Sequence, residues 1–534
     1  MIRGKQKGLN KVTKNIIANF LGKLWGFVSI FIFVRLYIDL LGIESYAIIN
    51  FYIVILGLLV FADAGLTATL TRELARDINL QTKANLVYTF ERIYLYICFL
   101  LIFLVMVFSG YIANNFLKSN VYSTDTVAFY LRLIGVGVVL QLFSTLYEGG
   151  LNGLQHQVLT NKVKIIWNTT RSGLVLIPLY FMPKLEIYFW WQILCNIILL
   201  LVFRNFLYTH LFASKLIFSI ELFKSVSRYA FGMMGIAFIS AINIQLDKLV
   251  TSKYLSLTEF GYYSIASTLA QVPTIIAGPI IISVFPIFTG YVSQLNIGEL
   301  CKAYHKFSFL ITVIVAPVAF CIAYYSIPII TLWTGKPEIA VATNYVVKLL
   351  ILGGFFLCMQ LTPFYLALAN GLTKINLYLG CICLIFVIPS MILGIKNYGM
   401  LGATIPWFLV NLISFIVVGL YVTNKFLVGN VFKWLIFDIF FPVIITVLIG
   451  IAVISLPEFT KFSYMFIIES MVIGLLSVLV NIIVYNKCNP ANKLFSIFPN
   501  ITTFLLIFLS NTLLQNQYHN KSDLIFSLQM SLSL

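Results

Sequence analysis

Lys23 and Arg171 each lie about eight residues inside a long apolar stretch, roughly 12 Å below its start at helical rise. A lone charge at that depth is expensive, and membrane chains keep such residues for pathways or binding cavities. Ammonium and guanidinium groups there offer anion recognition, phosphate above all. Arg171 sits in a polar island, flanked by Asn168, Thr169, Thr170 and Ser172. Lys23 belongs to a stripe at helical spacing, Asn15, Asn19, Gly22, Lys23, Gly26 and Ser29, on an otherwise Ile, Leu, Phe, Trp and Val helix. Lipid cannot satisfy that stripe, so it faces other helices or water. For Lys23, cavity lining and a structural pair with a carboxylate both fit; the small residues also suit tight helix packing.

Four further cations, Arg35, Arg132, Lys248 and Lys348, fall within about five residues of the outer span ends, where long side chains snorkel to the headgroups. Snorkelling and ligand binding are both open for them, and Lys248 directly follows Asp247. Acids are fewer. Asp63, in Phe61-Ala62-Asp63-Ala64-Gly65-Leu66, is placed to pair with Lys23 or to take part in ion coupling, and Asp247 is its counterpart in the second half. Glu91, Glu148, Asp438 and Glu469 lie near span ends and read as interfacial. More buried cations than acids point to an anionic cargo rather than an organic cation, and a lipid-linked pyrophosphate fits. Most cysteines fall in apolar runs and the four histidines show no metal spacing, so neither a metal nor a cofactor is expected.

The elements that must carry these residues are transmembrane helices. Of 534 residues, 60% are hydrophobic and 10% charged, whereas a soluble domain is about half apolar and a quarter charged. About fourteen spans are expected, at 15–37, 46–70, 88–113, 127–149, 163–182, 187–208, 229–251, 260–289, 307–332, 344–369, 375–394, 400–423, 434–455 and 463–485. The fold class is therefore an all-α polytopic membrane protein. The expected division is 1–208 as a first six-helix lobe, 209–228 as a cytoplasmic linker, 229–423 as a second lobe, 424–485 as two additional helices, and 486–534 as a cytoplasmic tail with one short apolar piece near 499–514. The linker is either a surface-lying segment or a plain solvated one. The apolar stretch that follows the basic start Met1–Lys14 reads as a retained first span, not a removed leader.

The net charge of +17 does not indicate nucleic acid, because the basic residues sit in short loops between spans. Alternate loops hold about 20 Lys and Arg on one side against about 6 on the other, which puts both termini in the cytoplasm. No external loop exceeds roughly 15 residues, too few to fold alone as membrane glycan polymerases and ligases require. Arg35 to Ala47 faintly matches Leu249 to Gly261 at an offset of 214, as a parallel repeat of two lobes would.

Several patterns resemble the polysaccharide-transport branch of the multidrug/oligosaccharidyl-lipid/polysaccharide exporter superfamily. They are Leu41-Gly42-Ile43-Glu44-Ser45-Tyr46, Asp63-Ala64-Gly65-Leu66, Gly149-Gly150-Leu151-Asn152-Gly153-Leu154-Gln155, and Gln245-Leu246-Asp247-Lys248-Leu249 through Glu259-Phe260-Gly261-Tyr262-Tyr263-Ser264-Ile265-Ala266, followed by Phe285-Pro286. Within that branch the chain is similar to O-antigen (Wzx-type) flippases. The resemblance implies two six-helix lobes in a V around a central cavity, two extra C-terminal helices, and no catalysis. It also implies a bacterial inner-membrane protein that moves undecaprenyl-pyrophosphate-linked oligosaccharide by alternating access, with membrane lipids and other polysaccharide-assembly proteins as partners. Basic residues of the first lobe would hold the pyrophosphate, and Lys23 and Arg171 occupy suitable positions. Ala47 stands where that family usually has glycine. A drug or cation antiporter of the same fold, and a glycan polymerase or ligase, are the alternatives.

Overall fold

A computed structural model describes residues 31–59, 65–76, 79–211, 216–221, 241–372, 374–455 and 465–488, with 22, 25, 26, 28, 29, 63 and 224, and backbone alone at 282–283, 374–384 and 488. The described residues are helical, with no strand among them, and nine of their helices are long and apolar enough to cross a membrane. The protein is a multi-pass membrane protein. It forms two compact units, Met1–Ile282 with Ile322–Tyr421, and Ser283–Cys321 with Val422–Leu534.

In the first unit Thr124–Gly153 is the interior helix, packed by Leu80–Phe116, Leu185–Leu211 and Leu66–Ala75. Two-thirds of its apolar window (67%) is buried, against 22% for Leu80–Phe116. The outer helix shows why: Tyr96, Phe99, Leu100, Phe103 and Val107 are exposed along one face at helical spacing, a surface made for lipid. Its opposite face carries Phe90 and Tyr94 into a core with Phe143, Tyr147, Phe203 and Leu207. Gly149 and Gly153 let Leu66–Ala75 lie almost backbone to backbone. A Cβ on Gly153 would stand 2.6 Å from the Thr71 carbonyl oxygen, and Thr71 Oγ1 donates to the Gly149 carbonyl at 2.9 Å. Small residues are how membrane helices achieve such an approach.

The run expected as one span over 46–70 is instead two helices, Ile43–Leu59 and Leu66–Ala75. Gly65 takes a left-handed conformation (φ 68°), which side chains disfavour. Asp63 then closes the new helix start: its Oδ1 accepts from Thr67 N at 3.1 Å, from Thr67 Oγ1 at 2.6 Å, and from the Tyr94 hydroxyl. Asp63, two residues before the N-cap Gly65, thereby takes up one orphan amide of the first turn, as a capping side chain does. Lys374–Phe426 departs from helical geometry at Gly399 (φ 57°, ψ −136°), and a Cβ on Gly394 would come within 2.9 Å of the Gly402 carbonyl carbon. The chain folds back there, as expected for two spans rather than one.

Glu44 and Thr258, which correspond under the 214-residue offset, touch each other: Thr258 Oγ1 donates to Glu44 Oε1 at 3.0 Å. Beside them Ile43 presents its carbonyl oxygen 3.1 Å from where a Gly261 Cβ would be. Glu44 Oε2 also accepts from Ser119 Oγ at 2.5 Å and Asn120 N at 3.2 Å, tying the loop after Phe116 to the same point.

In the second unit His305 is buried between oxygens, with Nδ1 2.5 Å from Asp438 Oδ2 and Nε2 3.1 Å from Asn430 Oδ1. Phe309 packs on Tyr485 with ring centroids 4.3 Å apart, and Gly450 leaves room for the Phe320 ring. Three acids expected at the interface are buried: Glu91, Asp438 and Glu469 are 7%, 2% and 8% exposed. Glu91 accepts from the Tyr208 hydroxyl at 2.6 Å and pairs with Arg204 at 3.3 Å, so a partner from a distant helix offsets its desolvation. Glu148, by contrast, is partly exposed and pairs with Lys164 at 2.9 Å.

Within 209–228, residues 216–221 run against the start of Leu80–Phe116. Ile217 N donates to Asn85 Oδ1 and Ser219 N to Thr89 Oγ1, both at 3.1 Å, while Ile217, Phe218 and Ile220 stay exposed.

Candidate functional site

The fifth expected span contains a wide π-turn, Thr170–Leu174, between the helical segments Gln157–Thr169 and Leu176–Phe181. A π-turn shifts the regular ladder of backbone bonds, and such bulges concentrate at functional positions. Within a bilayer, carbonyls loosened in this way need partners. Side chains from neighbouring helices supply them in sequence. Trp191 Nε1 donates to the Thr170 carbonyl at 3.1 Å, Gln192 Nε2 to that of Arg171 at 3.2 Å, and the Tyr37 hydroxyl to that of Ser172 at 2.5 Å.

This turn carries Arg171. Its Nε donates to Gln192 Oε1, so one amide grips both the backbone and the side chain of the same residue. The guanidinium carbon lies 5.0 Å from the Tyr52 ring centre and 4.9 Å from that of Trp167, a cation–π seat that steadies charge without cancelling it. Tyr52 is itself fixed, donating to Gln141 Oε1 at 2.9 Å and accepting from Asn196 Nδ2 at 3.0 Å. Arg171 makes no ion pair among the described residues, and its two terminal nitrogens meet no acceptor there. That leaves a planar fork of N–H donors, the shape that matches phosphate.

Arg171 lines a cavity of about 610 Å³ in the first unit, within the range of small-ligand sites. One wall carries Arg171 and Ser172 with Ser29 and Asn50; another carries Gln245, Asp247 and Lys248 from the 241–254 helix, and Trp407 also lines it. Asp247 Oδ2 accepts from the Tyr263 hydroxyl at 3.0 Å. Neither Asp247 nor Lys248 forms an ion pair among the described residues, although the two are adjacent.

Of the sequence-derived candidates, the structure brings Arg171, Lys248 and Asp247 to this cavity. Lys23 lies outside the described residues. Arg35 is half-exposed, 3.8 Å from Asp39 and set against Gly335. Arg132 Nε donates to Ser109 Oγ at 3.0 Å, and Lys348 lies 5.5 Å from the Tyr345 ring centre. These three do not line the cavity, nor does Asp63, which caps Leu66–Ala75. Sequence reasoning missed Gln192, Tyr52 and Gln245. Gln192 and Asn196 had left a trace, two amides four residues apart in a run of Trp, Ile and Leu. Tyr52 left none. No group of three metal-ligating side chains occurs among the described residues.

Against known proteins, residues 9–292 match the family described as "Polysaccharide biosynthesis protein". The chain belongs to that family. It is 24% identical over 369 residues to a Shigella flexneri protein named "Putative O-antigen transporter", covering 69% of this chain and 87% of the relative. A shorter stretch of 78 residues is 33% identical to the succinoglycan biosynthesis transport protein ExoT of Rhizobium meliloti, spanning 14% of this chain and 16% of ExoT. Among solved structures, the lipid II flippase MurJ in an inward closed conformation matches with a TM-score of 0.69 at 20% identity, over 88% of this chain and 98% of MurJ. An inward-facing MATE family multidrug transporter matches at 0.61 and 14% identity, over 77% of this chain and 96% of the transporter. At these identities the two structures establish the fold alone, an all-α polytopic membrane fold.

Proposed function

We propose that this family member is a flippase that carries a polyprenyl-pyrophosphate-linked oligosaccharide, an O-antigen or similar repeat unit, across the cytoplasmic membrane. The observation that carries the reading is Arg171, a guanidinium within a span, oriented by Gln192 and two aromatic faces, without an ion pair among the described residues, on a residue that lines a cavity. A cation kept unneutralised inside a membrane protein awaits an anion. The names of the O-antigen, succinoglycan and lipid II transporters support glycan cargo, and the family description agrees.

In this account the cargo pyrophosphate docks on Arg171, with Lys248 of the facing wall and Lys23 of the first span as further cations. The polyprenyl tail stays in the bilayer. The lobes 1–208 and 229–423 rock about the bound headgroup, with 424–485 appended and both termini cytoplasmic. No covalent bond changes, so the protein is a transporter and not an enzyme. Asp247, a carboxylate lining the cavity, is the candidate for ion coupling, whereas the Asp63 carboxylate is already engaged as a cap.

The test is Arg171→Ala in a host that depends on this chain for surface polysaccharide. Loss of surface glycan with the protein still in the membrane is the expected result. Full display would refute the role of Arg171, and drug resistance without a glycan phenotype would favour an antiporter.

A further inference from the structure

Arg92 and Arg204 end two lipid-facing stripes at the same level of the membrane. On Leu80–Phe116 the exposed Phe103, Phe99 and Tyr96 lead back, one turn earlier, to the exposed Arg92. On Leu185–Leu211 the exposed Leu194, Ile197 and Leu201 lead on to Arg204, whose side chain is 46% exposed. That spacing puts each arginine on the face its helix turns to lipid. Arg92 stands about 36 Å of helix from Phe116, and Arg204 about 28 Å from Leu185. Both therefore arrive about one hydrocarbon thickness, ~30 Å, from the far ends, at the depth of lipid phosphates.

The two helices touch, and their side chains converge there. Arg204 donates through Nε and Nη2 to Glu91 Oε1, both at 3.3 Å, with its guanidinium carbon 4.9 Å from the Tyr208 ring centre. Arg92 lies 4.8 Å from the Tyr88 ring centre, its Nη2 donates to that hydroxyl at 2.8 Å, and it makes no ion pair among the described residues. Glu91 and Tyr208 are within electrostatic reach of both arginines. Two guanidiniums against one carboxylate leave a net positive charge. Snorkelling alone would send each arginine to water by its own route. A shared cluster at phosphate depth, with apolar stripes running from it into the bilayer, matches an anionic lipid headgroup.

We propose that Arg92 and Arg204 form a binding site for an anionic phospholipid of the surrounding membrane. The phosphate rests against the two guanidiniums, and the acyl chains lie along the exposed stripes of the two helices. Arg92 supplies the uncompensated charge, while Arg204 is shared with Glu91. The site is on the lipid face of the first unit, apart from the cavity that Arg171 lines, and it does not depend on what the cavity carries.

The probes are phosphatidylglycerol and the zwitterionic phosphatidylcholine, each titrated against the purified full chain in detergent, with the first bound lipid followed by native mass spectrometry. The wild type should bind phosphatidylglycerol the more tightly. A basic side chain at an anionic lipid surface is worth about 5-fold in affinity, so Arg92→Gln should weaken phosphatidylglycerol by about that factor and the charge reversal Arg92→Glu by about 30-fold. Arg92→Lys, which keeps the charge, should retain the preference, and phosphatidylcholine binding should not change in any variant. Lys396→Gln removes an exposed cation from another helix and should have no effect. Arg92 is exposed and pairs with no carboxylate, so these variants should unfold at the wild-type temperature. Equal affinity of the wild type for the two lipids would overturn the inference. So would phosphatidylglycerol binding that survives Arg92→Glu, or an equal loss in Lys396→Gln, which would mean that net charge rather than this cluster attracts the lipid. Weaker undecaprenyl pyrophosphate binding by Arg92→Gln, with phosphatidylglycerol unaffected, would assign the pair to the cargo and also refute it.

Discussion

Gln192 offers a way to cancel the charge of Arg171 without removing the arginine. Its side chain is buried, with Oε1 accepting from Arg171 Nε and Nε2 donating to the Arg171 carbonyl. Gln192→Glu replaces the amide by a carboxylate of the same shape beside the guanidinium. Two unit charges about 4 Å apart at an effective permittivity near 20 attract by about 4 kcal/mol. An incoming pyrophosphate would have to compete with that partner, which weakens its binding by roughly 1,000-fold. Gln192→Leu removes both hydrogen bonds but leaves the charge free. It should cost about 2–4 kcal/mol of stability, from one charge-assisted bond and one neutral bond, and only about tenfold in affinity through loss of orientation. The assay is titration of purified protein with undecaprenyl pyrophosphate, alongside thermal unfolding of each variant. If Gln192→Glu binds as the wild type does, the free charge of Arg171 is not what holds the anion. If Gln192→Leu is the weaker binder of the two, orientation rather than charge dominates.

Gly153→Ala forces a Cβ to 2.6 Å from the Thr71 carbonyl, so it should destabilise by about 1–3 kcal/mol through overpacking, read as a lowered unfolding temperature in detergent. Asp63→Ala should cost about 1–2 kcal/mol through loss of the cap while leaving lipid binding and transport per folded molecule unchanged; a defect in transport alone would give Asp63 a coupling role. Asp438→Ala leaves His305 facing an empty site at 2% exposure. It should destabilise by about 3–5 kcal/mol, measured by the same unfolding assay, and His305→Ala in that background should add little, because the two act as one pair.

The sequence made Arg171 conspicuous because four polar neighbours interrupt an apolar run. What it could not display was the π-turn or the grip of Gln192, since both depend on a helix that begins fourteen residues later in the chain, at Leu185. Lys248 was ambiguous for a similar reason. Distance from a span end fixes depth but not direction, and the direction toward the cavity comes from how the 241–254 helix packs. The second span was misjudged as continuous because Asp63 and Gly65 are only two residues in a long apolar run, and their effect is conformational rather than compositional. The acids Glu91 and Asp438 were assigned to the interface by position alone. Arg204, Tyr208 and His305, which make their burial tolerable, come from distant segments. The Gly149 to Gly153 motif, by contrast, was visible as sequence, and its meaning, a backbone approach to Thr71, became clear once the partner helix was in place.

The most direct measurement compares undecaprenyl pyrophosphate binding by the wild-type chain and Arg171→Ala, with circular dichroism and unfolding temperature confirming that both are folded. Removing one member of a desolvated charge pair costs about 2–5 kcal/mol, so affinity should fall by roughly 30- to 4,000-fold. Equal binding by the two proteins would contradict the account.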